Sequence, residues 1–408
     1  MAQKPVSGNK RPASGPLTGI KVLDLTAVLM GPMCTQIMAD LGADVIKVEN
    51  PSGDTTRRLP GGKEPGMSGM FLNLNRGKRG ILLDLKKPAG RAALLRLAAD
   101  TDVFIHSMRS NAIARLGLDY AKLKAINPKV VYTNIYGFSR RGPRANNAAY
   151  DDTIQAISGL ASLQEQLIGR PNFVSTVIAD KVTAITAAYG SMAALLERER
   201  SGGIGQEVEV GMYETMVSFL MVEHSGGFLF DPPVGPPRYD RATSPHRRPY
   251  RTADGSMSVT VYTDGHFRKF AELVGDPAWA DDPRFSELSV RWANLDEFYT
   301  RVEEHLGQKP TAYWLKALEA AGIPAAPVQT IEEAARDPHL LQIGYFEPMM
   351  TKEGPMRFPG IPTWFSRTPG SIRDAGPRLG EHTREVLAEA GFEEREIEAV
   401  LAETRGAA

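Results

Sequence analysis

From Ile20 onward the apolar pattern switches period every few residues, and this alternation restricts the fold more than any other property of the chain. IKVLDL reads as a strand, MCTQIMADLG as a helix and ADVIKVE as a second strand, which together make a βαβ unit. The series continues with a strand at GILLDL, a helix opening at Pro88, and strands at VFIH and VVYTNIYGF. Alternation of this kind predicts an open parallel sheet with helices on its faces, an α/β large domain of the Rossmann-like type.

At 408 residues the chain exceeds the ~100–200 residues of one domain, so two domains, or one large discontinuous one, are expected. A long helical segment, KVTAITAAYGSMAALLERERS, follows Asp180 and stops at Gly202 and Gly203. The large domain is predicted over residues 17–225. Residues 226–252 are dense in Pro, Gly and Arg and read as a linker or active-site loop. A smaller α+β domain follows over 253–328, with a strand at MSVTVYT and helices at HFRKFAELVG, LDEFYTRVEEHLG and TAYWLKALEAAG. Residues 329–408 form a C-terminal segment that returns to the large domain and ends in two amphipathic helices, and residues 1–16 read as a flexible tail.

Charge and cysteine usage exclude several classes. Basic and acidic residues balance at 48 each, so no nucleic-acid or anionic-membrane partner is indicated. Cys34 is the single cysteine, which rules out an internal disulfide and fits a reducing, cytoplasmic compartment. No run reaches the ~18 apolar residues needed to cross a bilayer. The seven histidines have no metal spacing, so no metal site is expected. The first strand-to-helix turn, AVLMGPM, has one glycine instead of a GxGxxG array, and no phosphate loop, HExxH or GxSxG motif occurs. Dinucleotide, nucleotide-hydrolase, zinc-protease and serine-hydrolase chemistries thereby lose their usual warrants.

Several blocks in a fixed order carry a resemblance: PLTGIKVLDLTAVLMGPMCTQIMADLGADVIKVENPSGD, NLNRGKRGILLDLKKPAGR, AYDDTIQAISG, IADKVTAITAAYGSMAALLERERSGGIGQEVEVGMYE, then PYRTADG, GIPAAPV and RLGEHTREVL. Together they resemble the class III coenzyme A transferases, also named CaiB/BaiF, from Pro16 nearly to the end. The resemblance implies an interlocked homodimer and a transfer of CoA from an acyl-CoA donor to a small carboxylic acid, with CoA as substrate and product and no tightly bound cofactor. It also implies succinyl-CoA as donor and a medium-sized organic acid as acceptor.

The resemblance makes Asp180, in the IADK block, the nucleophile that forms an aspartyl anhydride and then an aspartyl-CoA thioester. The position of Asp180 before a long helix agrees, since helix N-termini favour negative charge and would keep the carboxylate ionised; an ordinary N-cap is the alternative. Family positions that touch CoA fall on Val28 and Leu29, Asn50, Leu83, Asp84, Leu85 and Lys86, Ser107, Met108 and Arg109, Arg115, and Tyr150 with Asp151. Arg109 and Arg115 suit CoA phosphates. The chain departs from the formyl-CoA type at Leu29, Asn50 and Ala148, where that type has glutamine, arginine and lysine, and in SPHRRPYRTADG, which replaces a glycine-rich loop. Formyl-CoA and oxalate are therefore poor substrates to expect, and Arg247 or Arg248 becomes a possible partner for an acceptor carboxylate. Racemases that share the fold use a histidine where Tyr150 stands, and a group of pKa ~10 shuttles protons poorly near neutrality. A racemase-like isomerase and a non-catalytic acyl-CoA-binding protein are the alternative readings.

Overall fold

The computed structural model describes residues 13–346 and 348–405. Residues 1–12 of the expected tail lie outside the described residues. The chain forms two compact units. The first comprises the chain up to Ser158, Ser175–Phe219 and the part from Leu341 onward; the second comprises Gly159–Val174 and Leu220–Leu340.

The first unit is built on strands β1 (Lys21–Leu25), β2 (Asp44–Glu49), β3 (Arg79–Leu82), β4 (Val103–His106), β5 (Val131–Tyr136) and β6 (Glu207–Gly211). They form one sheet in the order β3-β2-β1-β4-β5-β6, and every neighbouring pair is parallel. The open parallel sheet read from the alternating pattern is therefore present. β4 and β5 are buried along their whole length, as strands covered on both faces must be.

Side-chain alternation divides the core into two layers. Val22, Val103 and Val131 face one way and pack on the helices Met30–Asp40 and Ile178–Arg200. Small residues on the longer helix, Ala184, Ala187 and Ala188, let it lie close to the sheet. Leu23, Phe104 and Tyr132 face the other way, onto the helices Pro88–Ala98 and Tyr120–Ile126. Val386, Leu387, Ile397 and Val400 join this second layer from the C-terminal helices Thr383–Glu389 and Glu394–Arg405. The end of the chain thus packs on the same core as its beginning.

The second unit carries a three-stranded antiparallel sheet, β7 (Tyr250–Arg251), β8 (Ser256–Val259) and β9 (Ala325–Pro327). Helices Asp264–Leu273, Leu295–Leu306 and Thr311–Ala321 enclose an aromatic core in which Trp279 packs edge-on against Phe267, with ring centroids 5.0 Å apart. This is the α+β arrangement expected of the smaller domain. The hairpin of β10 (Pro348–Thr351) and β11 (Gly354–Arg357) in the first unit was not anticipated, because its short strands carry no clean apolar alternation. Among the described residues no helix is long and apolar enough to cross a membrane.

Candidate active site

The chain leaves β1 to build β2 and β3 on one side, then returns to place β4 on the other. Loops leaving the C-terminal ends of β1 and β4 consequently diverge, and an open α/β sheet leaves its ligand crevice at such a point. A cavity of about 350 Å³ lies there. Its walls are Ala27, Val28, Leu29 and Met30 after β1, Ser107, Met108 and Arg109 after β4, the end of β5, Tyr150 and Asp180. A second cavity of about 300 Å³ shares Leu25, Ala27 and Met108 with it and is lined further by Asn50, Leu83, Asp84, Leu85 and Lys86.

Asp180 is the one carboxylate among the described residues lining the first cavity, and Arg109 the one cation. The helix that holds Asp180 begins at Ile178, with Val177 at the N-cap, so Asp180 sits inside the first turn and not before it. It does not cap the helix. That task falls to Asp151, whose Oδ1 accepts the backbone N–H of Asp180 at 3.0 Å. Gln155 donates to the other oxygen, Oδ2, at 2.6 Å and fixes the carboxylate's orientation. Burial and the nearby Asp151 carboxylate push the Asp180 pKa up to about 6. The sequence argument expected the helix terminus to keep Asp180 acidic; desolvation and a like charge outweigh the dipole.

The loop between β1 and the helix Met30–Asp40 is held by buried charges. Asp24, on β1, accepts from the Thr26 N–H and hydroxyl and from the Thr35 hydroxyl, and pairs with Lys78 at 3.1 Å. Burial opposes ionisation of Asp24, yet Lys78, Lys47 and the two hydroxyls hold its carboxyl below the usual range. Lys47 bonds the Thr26 carbonyl and the Asp54 carboxylate, both at 3.0 Å. Asp54 in turn accepts the Val28 N–H at 3.2 and 3.3 Å. Val28 has φ of 72°, the one non-glycine residue at positive φ among those described. A β-branched residue does not adopt that conformation unaided. The bonds to Asp54 and the buried Lys47 impose it, and the Val28 side chain is thereby placed in the cavity wall.

The predicted site residues distribute over these two cavities. Val28, Leu29, Ser107, Met108, Arg109 and Tyr150 line the first, with Asp180. Asn50, Leu83, Asp84, Leu85 and Lys86 line the second. Asn50 accepts from the Ser52 backbone and hydroxyl, and Asp84 from the Lys86 N–H, so both shape turns at strand ends. Asp151 lies behind Asp180, outside the lining, and Arg115 is exposed on a short helix outside both cavities. Leu29 and Ala148, two departures from the formyl-CoA type, line the cavity with Asp180. The third, Asn50, lines its neighbour. Lys47 and Asp54 escaped the sequence reading, although a Lys inside the apolar strand ADVIKVE, followed by an Asp, was the available signal. His106, at the end of β4, is bonded to Tyr132 and to the Met108 N–H, and burial lowers its pKa to about 4.

The fold is thus an open parallel α/β sheet with a single carboxylate, Asp180, among the described residues lining the cavity at its topological switch point. The chain belongs to CoA-transferase family III, whose profile matches residues 17–383. It is 35% identical over 393 residues to a succinate–glutarate CoA-transferase of Agrobacterium fabrum, covering 93% of this chain and 96% of that one. It is 34% identical over 358 residues to an acetyl-CoA:oxalate CoA-transferase of Acetobacter aceti, covering 86% and 90%. Among solved structures, a CaiB/BaiF family protein from Brucella suis superimposes with a TM-score of 0.78 at 32% identity, over 92% of this chain and 100% of that one. The protein is thus a class III CoA-transferase.

Proposed function

We propose that the enzyme carries CoA from an acyl-CoA to a dicarboxylic acid through covalent attachment to Asp180. The observation that carries this is the half-buried Asp180 carboxylate, alone in a mostly apolar cavity, with its pKa pushed up to about 6. Such a carboxylate is largely ionised at neutral pH and more basic, hence more nucleophilic, than a solvated one.

An Asp180 oxygen attacks the thioester carbonyl, and collapse of the tetrahedral oxyanion expels CoA thiolate and leaves a mixed anhydride. The thiolate then attacks the aspartyl carbonyl, releasing the donor's carboxylate and forming an aspartyl-CoA thioester. An incoming acid attacks that thioester, regenerates an anhydride and thiolate, and the thiolate takes the new acyl group, which frees Asp180. Apolar walls keep water from the anhydride. The helix Met30–Asp40 begins at the cavity with no side-chain cap, so its first N–H groups are available to a developing oxyanion. The two relatives, a succinate–glutarate and an acetyl-CoA:oxalate CoA-transferase, support a dicarboxylate acceptor. On the same reading the enzyme works in the cytoplasm as an interlocked homodimer. Ile185, Tyr189 and Leu196, exposed on one long helix, support a covering partner.

Intact-protein mass spectrometry with succinyl-CoA and glutaryl-CoA tests the mechanism, with hydroxylamine trapping and peptide mapping. A CoA-sized or hydroxamate adduct confined to Asp180 and absent from Asp180→Ala is expected. Turnover by the wild type with no trappable adduct, or by the variant, would refute it.

A further inference from the structure

Lys47 and Asp54 form an ion pair closed off from solvent in the first unit, and what the pair holds sets it apart. Lys47 stands on β2, and its Nζ meets the Asp54 carboxylate and the Thr26 carbonyl, both at 3.0 Å. Asp54 is fixed by other partners as well. Its backbone N–H donates to the Glu49 carboxylate at 2.8 Å, and its Oδ1 accepts the Thr56 N–H at 3.0 Å and the Thr56 hydroxyl at 2.8 Å. Glu49 is itself anchored by Arg57 at 2.6 Å. Burial opposes ionisation of Asp54, yet Lys47 and the Thr56 bonds keep the carboxyl below its usual range. The remaining bond to this immobilised carboxylate comes from the Val28 N–H, in the loop after β1.

Stability does not account for the arrangement, because a buried ion pair contributes little over an apolar pair of the same volume. Direct substrate binding does not account for it either, since both side chains are buried although they stand in the wall of the second cavity. The bond to Val28 links that wall to the first cavity, which Val28 lines beside Leu29 and the start of the helix Met30–Asp40. All of these residues, and Asp180, belong to the first unit. We infer that Asp54, anchored on Lys47, is a positioning residue for the transfer reaction: it holds the Val28–Met30 wall in the backbone form that lets a thioester carbonyl reach the Asp180 carboxylate. The inference rests on the proposed function in taking Asp180 as the reacting group. Its effect falls on kcat and not on the capture of CoA, because a reacting carbonyl displaced by about 1 Å loses its line of attack while the rest of the substrate stays bound.

The test uses the full-length protein, with succinyl-CoA as donor and glutarate as acceptor. Asp54→Asn should lower kcat by about 10- to 100-fold and change the affinity for free CoA, measured by calorimetry, by no more than about 2-fold. Glycine takes the Val28 conformation unaided, so in the Val28→Gly background the same substitution should cost less than about 3-fold. An unchanged kcat, a loss of CoA affinity in step with kcat, or equal effects in the two backgrounds would overturn the inference. Where Asp54→Asn alone does not fold, Lys47→Met combined with Asp54→Asn, which leaves neither charge of the pair buried alone, takes its place. Hydrogen exchange read by mass spectrometry needs no substrate: peptides over residues 25–33 should exchange faster in the variant, while those from β4 and β5 keep the wild-type rate. Acceleration spread over the whole sheet would mark a general loss of stability and overturn the inference. Failure of the covalent mechanism shows instead as a missing Asp180 adduct in a wild type that turns over, so the two failures are told apart.

Discussion

The Asp151 carboxylate stands at the head of the helix Ile178–Arg200 and accepts the backbone N–H of Asp180 at 3.0 Å, so the residue that caps the helix also adds its like charge to the burial that raises its neighbour's pKa. One carboxylate thereby takes up the helix's free donor and leaves the other's side chain to line the cavity. The favourable field at a helix N-terminus is spent on Asp151, and Asp180, bonded through its backbone, keeps its side chain for the cavity.

On the proposed mechanism only ionised Asp180 attacks, so activity should rise with pH along a limb whose midpoint lies near 6. Replacing Asp151 by Asn keeps an oxygen for the Asp180 N–H and removes the like charge, so the Asp180 pKa must fall and the limb must move to lower pH. A pH profile of kcat/KM for the two proteins measures this. A limb that stays in place in Asp151→Asn would remove the proposed coupling.

Lys78→Met should be strongly destabilising. Asp24 and Lys78 have fully buried side chains 3.1 Å apart, and Lys78 also donates to Asn75 and to the Pro32 carbonyl. Breaking such a pair leaves a buried carboxylate facing vacated acceptors, which costs roughly 3–5 kcal/mol. The sign for Asp24 is that of a depressed carboxyl. Its contribution to stability is complete above the unfolded pKa of ~3.9 and is lost as pH falls through the lower folded value. Urea unfolding of Lys78→Met and of Lys78→Met with Asp24→Asn should show the second substitution recovering part of the loss.

At Val28 the expected effects on stability and activity have opposite signs. Glycine accepts a φ of 72° without strain. Strain relief of ~1–3 kcal/mol is reduced by the ~0.5–1 kcal/mol entropic cost of glycine, so Val28→Gly should unfold at equal or higher urea concentration. Because the Val28 side chain forms part of the cavity wall, the same variant should turn over more slowly. A loss of stability would show that Asp54 and Lys47 do not impose the conformation.

Gly31 lets the first helix approach the clamped loop at Thr26. A Cβ there would stand 2.2 Å from the Thr26 Cβ, and Thr26 is tied to Asp24. Gly31→Ala should destabilise the protein by ~1–3 kcal/mol, the usual cost of overpacking. Pairing it with Thr26→Ser, which removes the methyl but keeps the hydroxyl, should restore part of the loss in thermal unfolding.

How much was legible in the sequence can be argued residue by residue. Strand after strand was readable because VFIH and VVYTNIYGF are buried on both faces and must be apolar throughout, and Pro88 does open its helix. Val28, Leu83 and Ser107 are named by the family resemblance, and each lines a cavity beyond the end of a parallel strand. Their division into two cavities could not be foreseen, because it depends on Met108 and Leu25 standing between them. The start of the long helix was misplaced by a few residues, since Val177 caps it without a side-chain bond and its real cap comes from Asp151, 29 positions earlier.

What the chain determined by itself is the parallel sheet, the order of its helices and the presence of Asp180 in a block shared with its family, all of which follow from local periodicity and short-range residue choice. What only the tertiary structure decided is the chemistry of that aspartate and the form of the loop beside it. The Asp180 pKa rises because folding buries it next to Asp151, and Val28 is strained because Lys47 and Asp54 meet the loop from another strand and turn. Both effects are electrostatic and act between residues far apart in sequence, so they come into being only when the sheet has closed around them.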